Sequence, residues 1–133
     1  MTEESPLVLV VDDMPETRRL MRRVLERDNV RVVEAGTGEE ALEQIESERP
    51  DAVVLDLRLP GISGQEVARR VRSHADRAIA WTPLLACSAS VQPEVRRDAL
   101  DAGCDDFEPK PFDVRSFAAR IRDLIATKGP LRA

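Results

Sequence analysis

Cysteine, histidine and long apolar runs are all scarce in this chain, and each scarcity removes a class of function. Cys87 and Cys104 are its only cysteines; they are too few and too far apart for a disulfide scaffold or a CxxC metal or redox site. They read as reduced, structural thiols. His74 is the single histidine, so neither a histidine metal cluster nor a triad can be built, and it reads as solvated surface near a helix end. No apolar run approaches the roughly 18 residues that a membrane span needs. Met1 to Pro6 are polar and lack the basic and apolar regions of a secretory signal, so a cytoplasmic location is expected. A basic surplus is missing too: 20 Lys+Arg against 25 Asp+Glu give a formal charge of −5. Nucleic acid calls for a basic footprint, so the chain itself is expected to bind none.

What is present suits one compact domain. The length is 133 residues, with 42% hydrophobic and 34% charged, which is ordinary for a globular fold. The expected division is an N-terminal tail over residues 1–6, a folded unit over 7–127 and a C-terminal tail over 128–133.

Two hydrophobic patterns alternate along the chain. Leu7 to Val11 is a continuous apolar run that stops at Asp12-Asp13, the mark of a buried strand with acids at its carboxyl end. Pro15 and Glu16 suit a helix start, and Leu20, Met21, Val24 and Leu25 recur on one face. Val30 to Glu34 is strand-like, and Thr37 with Glu40 matches a capping box ahead of Ala41, Leu42 and Ile45. Ala52 to Leu55 forms a third apolar strand, ending in Asp56 and the turn-rich Pro60-Gly61-Ile62-Ser63-Gly64. Val67 and Val71 indicate a third helix, whose arginines at 69, 70 and 72, like those at 96 and 97, read as solvated faces. Trp81 falls in a connection; Leu84 to Cys87 is a fourth strand ending in Ser88, and a fourth helix is expected from Pro93 to Ala102. Gly103 stops it, Asp106 to Glu108 forms a short fifth strand, and a last helix runs from Val114 to Ile125, ended by Gly129-Pro130.

Five strands alternating with five helices predict a doubly wound α/β fold, because parallel strands need crossover helices that cover both faces of the sheet. Such sheets bind ligands at the carboxyl ends of their strands. Asp12, Asp13, Asp56, Ser88 and Lys110 all fall at or just past strand ends, so they are expected in one pocket. Taken alone, Asp12-Asp13 also suits a helix N-terminus and Asp56 a turn; Phe107 can equally be an ordinary core aromatic. Three carboxylates close together repel unless a cation neutralises them. Hard oxygen donors suit Mg²⁺, with Asp13 and Asp56 as first-choice side-chain ligands.

The segments LVLVVDD, LDLRLPGISG, LLACSA and GCDDFEPKPF, in this order over about residues 7–127, resemble the signature segments of response-regulator receiver domains of two-component systems. The resemblance implies a flavodoxin-like sheet of order 2-1-3-4-5. It implies that Asp56 accepts a phosphoryl group from a phosphohistidine of a histidine kinase or phosphotransfer protein. Asp12 would orient a metal-bound water, and the main-chain carbonyl of Arg58 would complete the Mg²⁺ site. Lys110 and Ser88 would contact the phosphoryl oxygens, with Ser88 and Phe107 as switch residues reshaping the surface of the fourth helix, fifth strand and last helix for an unknown downstream protein. The Lys110-Pro111 bond would be cis. The first helix would dock the donor, with Leu20, Met21 and the arginines as candidates.

Leu59 and Ile62 stand where the family often has methionine, which keeps apolar bulk. Arg58, two residues past Asp56, is expected to tune phosphate lifetime, and Ser90, two past Ser88, invites the same comparison. The chain is expected to be a phosphoacceptor switch, not an enzyme acting on other substrates, and a stand-alone regulator ahead of the N-terminal receiver of a longer regulator or hybrid kinase. The rivals are a degenerate receiver serving only as an interaction module, against which all five site residues are present, and a Mg²⁺-dependent aspartyl phosphatase. The latter would usually need an acid two residues past its nucleophile, where Arg58 stands.

Overall fold

The computed structural model describes residues 4–90 and 92–128. They form, in chain order, β1 (Leu7–Val11), α1 (Pro15–Arg27), β2 (Arg31–Ala35), α2 (Gly38–Glu48), β3 (Ala52–Asp56), α3 (Gly64–Arg72), α4 (Arg77–Ala80), β4 (Leu84–Ser88), α5 (Pro93–Ala102), β5 (Asp106–Pro109) and α6 (Val114–Lys128). All strands are parallel, in the order β2-β1-β3-β4-β5. The doubly wound, flavodoxin-like sheet expected from the sequence is therefore present.

The strand sequences explain their places. β3 and β4 are buried at every residue and β1 at all but its first, so they read as unbroken apolar runs. The edge strands β2 and β5 admit Arg31, Glu34, Asp106 and Glu108. Successive side chains point to opposite faces. Leu9, Val11, Val53, Leu55, Leu84 and Ala86 pack under α2, α3, α4 and α5, around Ile45, Val67, Val71 and Ile79. Val8, Val10, Ala52, Val54, Leu85 and Cys87 face α1 and α6, against Met21, Leu25, Phe117 and Ile121.

Among the described residues there are six helices where five were expected, because α4 interrupts the connection that holds Trp81. Its four residues are too short to show a 3.6-residue period. The Asp76 carboxylate starts it by accepting the Ala78 N–H at 2.9 Å. The expected fourth and fifth helices are therefore α5 and α6. α6 extends to Lys128, three residues past the expected Ile125 and into the segment expected to be tail. Gly129-Pro130 lies outside the described residues. The capping box at α2 is half formed: Thr37 Oγ accepts the Glu40 N–H at 3.1 Å, but the Glu40 carboxylate turns to the Gly36 N–H at 3.4 Å.

Two expectations of solvated or accessible side chains are corrected, those for Arg72 and Met21, while His74 keeps its surface place beside exposed Glu46. Arg72 is not on a solvated face: its guanidinium donates to the carbonyls of Gly103, Ala80 and Thr82 and to the Asp105 carboxylate at 2.8–2.9 Å. A helix C-terminus and the loops around it leave carbonyls in need of donors, and Arg72 supplies them. His74 bridges Glu46, at 2.8 Å from Nε2, and the Asp76 N–H, at 2.9 Å from Nδ1. Met21 is fully buried under β1 and β3, so of the apolar pair on α1 only Leu20, 45% exposed, can meet a partner.

Candidate functional site

Register builds the site. Val11 at the end of β1 lies opposite Leu55, Asp56 opposite Cys87, and Ser88 opposite Pro109. The residues that follow or close these strands, Asp12, Asp56, Ser88 and Lys110, therefore share one rim. β1 has β2 on one side and β3 on the other, so the chain leaves the two strands in opposite directions and opens a crevice between their carboxyl ends.

Asp12 is fully buried and held from several directions. Its Oδ1 accepts the Met14 N–H at 2.9 Å, and its Oδ2 accepts Lys110 Nζ at 2.7 Å. Asp56 is also buried. Its Oδ1 accepts the Arg58 N–H at 3.0 Å, and its Oδ2 takes the same lysine at 3.1 Å. Asp13 is exposed, and carboxylate oxygens of Asp12, Asp13 and Asp56 all lie within 4.8 Å of one another. Lys110 is placed through its own N–H, which donates to the Ser88 carbonyl at 2.8 Å, and the following bond to Pro111 is cis as the resemblance implied. Ser88 is buried, and its hydroxyl oxygen accepts the Ser90 N–H at 3.1 Å.

The electrostatics are unbalanced. Burial pushes the Asp56 carboxyl above its ordinary pKa, the Asp12 charge adds to this, and the Arg58 N–H and the lysine only partly oppose it. Burial alone would lower Lys110, but its hydrogen bond to Asp12 and the charges of both acids win, so it holds its proton more tightly than usual. One ammonium faces three carboxylates. This donor set, all hard oxygens with uncompensated negative charge, fits a small divalent cation such as Mg²⁺.

Phe107 lies one layer away. It pairs in register with Ala86 and is half-buried against the core beneath α5. It also lines a surface hollow of about 520 Å³ with Gln92, Pro93, Arg96, Pro109 and Arg120. Leu59 and Ile62 pack on the same core, so the apolar bulk expected of them is used.

Two residues were not placed at the acid pocket from sequence. A Cβ on Gly64 would come within 2.3 Å of the Asp56 carbonyl oxygen, so only glycine lets α3 start this close to the acid-bearing strand. Its place in a turn-rich segment was the available signal. Arg18 donates from Nη1 to the Asp12 carbonyl at 2.6 Å; nothing in the sequence separates it from its arginine neighbours.

Comparison with known proteins agrees with this geometry. The sequence profile of the "Response regulator receiver domain" matches residues 8–122. Response regulator MprA of Mycolicibacterium vanbaalenii is 42% identical over 123 residues, which is 92% of this chain and 52% of that protein. The chain thus spans about half the length of the curated relatives it matches. The Francisella response regulator 1452 receiver domain superposes with a TM-score of 0.85 at 26% identity, covering 94% of this chain and all of that one. The receiver domain of a sensor histidine kinase from Pseudomonas aeruginosa, solved with a magnesium ion in its active-site cleft, has a TM-score of 0.83 at 26% identity, covering 92% of this chain and 98% of that one.

Proposed function

The chain belongs to the response-regulator receiver family, and from that premise we propose that it accepts a phosphoryl group on Asp56 from the phosphohistidine of a histidine kinase or phosphotransfer protein. The observation that supports this most is the pair of bonds from Lys110 Nζ to buried Asp12 and Asp56, 98 and 54 residues away in sequence. The receiver unit covers the expected residues 7–127 and, with the end of α6, Lys128, and a cytoplasmic setting follows from the proposed donor.

Asp12 and Asp13, with Asp56 and the main-chain carbonyl of Arg58, would hold Mg²⁺. When bound, the ion supplies positive charge that neutralises the acids and the oxygens in transfer. The chain's own residues do the rest. An Asp56 carboxylate oxygen attacks phosphorus in line, the bond from phosphorus to the donor imidazole breaks, and the imidazole leaves with the electron pair. Lys110 stabilises a transferred oxygen, and the Ser88 hydroxyl donates to another. As Ser88 shifts inward, Phe107 follows and repacks the α5-β5-α6 surface for a downstream protein. Phe lacks a hydroxyl, so this signal travels by packing.

Arg58 is exposed, and its guanidinium, leaving the backbone two residues past Asp56, would cover the phosphoryl group and set its lifetime. Ser90, whose N–H donates to the Ser88 hydroxyl oxygen, would be compared in the same way. The matched relatives carry about as much chain again, so the expectation of a stand-alone regulator gains nothing from them; the chemistry is the same in either setting.

Incubation with a small-molecule phosphodonor tests the proposal. We expect the mass of one phosphoryl group to appear in wild type only when Mg²⁺ is present, and never in Asp56→Ala. Folded wild type that takes no label would instead favour an interaction module without phosphoacceptor chemistry.

A further inference from the structure

Arg18 makes the shortest of the hydrogen bonds around the acid pocket. Near the start of α1, its Nη1 donates to the Asp12 carbonyl at 2.6 Å while its Nε donates to Glu34 Oε1 at 3.0 Å. The second Glu34 oxygen is taken by Arg22 Nε at 2.7 Å. Glu34 lies in the edge strand β2, opposite Val10, and the next pair along, Val11 and Ala35, leads directly to Asp12, whose N–H donates to the Ala35 carbonyl at 3.2 Å. Two guanidiniums from one helix therefore clasp one carboxylate on the neighbouring strand. Burial would raise the Glu34 pKa, yet the hydrogen bonds and charges of Arg22 and Arg18 hold it below the ordinary carboxylate value.

The carbonyl of Asp12 and the N–H of Asp13 belong to one planar peptide unit. Holding that carbonyl fixes the plane from which Asp13 departs. Asp12 is secured by its side chain as well, but Asp13 is exposed, so its direction depends on the backbone that bears it. We propose that Arg18, braced by Glu34, is a positioning residue that sets the Asp12–Asp13 peptide and so aims the acid pair at Mg²⁺. This inference rests on the receiver reading above.

Its sign separates it from a charge effect. A guanidinium acting only through its charge repels a nearby divalent cation, so removing it tightens Mg²⁺ binding. Removing a brace loosens it.

Calorimetric titration of MgCl₂ into the unphosphorylated protein reads the difference, with thermal midpoints taken without metal. Arg22→Ala is the control, since it strips a guanidinium from the same Glu34 without touching Asp12. We expect Arg18→Ala to bind Mg²⁺ about tenfold more weakly, the scale of losing a group that orients metal ligands. Arg18→Lys recovers part of that loss, and Arg22→Ala stays near wild type in affinity while losing stability. If Arg18→Ala fails to fold, Arg18→Lys against Arg22→Lys makes the same comparison. Affinity in the Arg18 variants that is unchanged, tighter, or lowered no more than in the matching Arg22 variants overturns the brace and leaves the receiver reading intact. Wild type that does not bind Mg²⁺ overturns both.

Discussion

Asp56 closes a strand buried at every position, where the Arg58 N–H and Lys110 each take one of its carboxylate oxygens. Its raised pKa, caused first by burial, makes ionisation harder in the fold than in the unfolded chain. Below the unfolded value both states keep the proton and no penalty exists; the penalty grows as pH rises through the folded value and persists at neutral pH. Asp56→Asn should therefore raise the thermal midpoint at pH 7 without Mg²⁺, since Lys110 keeps Asp12 as its partner. The gap should shrink near pH 4 and on adding Mg²⁺; an equal or larger gap there contradicts the electrostatic account. Arg58 is the second residue to test. With its guanidinium gone, Arg58→Asn should lose the phosphoryl group faster than wild type, measured as decay of labelled protein after donor removal. An unchanged decay rate dismisses its role.

The elements position these residues through close approaches as well as through side-chain bonds. α3 begins at Gly64, where an added Cβ would lie 2.3 Å from the Asp56 carbonyl oxygen and 2.8 Å from Leu57 Cα. Gly64→Ala must push α3 away from the acid-bearing strand, a loss of about 3 kcal/mol by overpacking. Denaturant unfolding should show that loss, and phosphoryl labelling should fall with it; wild-type values in both would show that the helix start has slack. The same scale shows what the sequence could tell. Strand ends were legible because apolar runs stop abruptly at Asp12, Asp56 and Ser88, and acids at such stops have few structural reasons to be there. α4 was not legible, since one turn has no period, and the role of Arg72 was hidden because its partners are carbonyls, which leave no trace in residue identity. Met21 and Leu20, adjacent in sequence, share the apolar sector of the helix, and only packing against α6 and the sheet decided that the first is buried and the second exposed.

Across the whole molecule, the two ends of the sheet have separate tasks. The carboxyl ends hold the acids and Lys110. The amino ends are tied by Arg72, by Asp105, which accepts the Leu84 N–H at 2.8 Å, and by Lys128, which meets Asp105 at 2.9 Å and lies 4.7 Å from the Trp81 ring centre. Arg72→Met keeps the packing of the stem but strips donors from three carbonyls and a carboxylate, at a cost of about 2–3 kcal/mol. Because this knot is at the far end, the variant should still label on Asp56 with Mg²⁺ at temperatures well below its midpoint. Loss of labelling in folded Arg72→Met would show that the two ends are coupled. The central claim, that Asp56 itself takes the phosphoryl group, is tested most directly by reducing the labelled protein with borohydride, which converts an aspartyl phosphate to homoserine, and locating the product by peptide mass. The account predicts homoserine at position 56 alone; label that survives reduction, or homoserine at position 12 or 13, would contradict it.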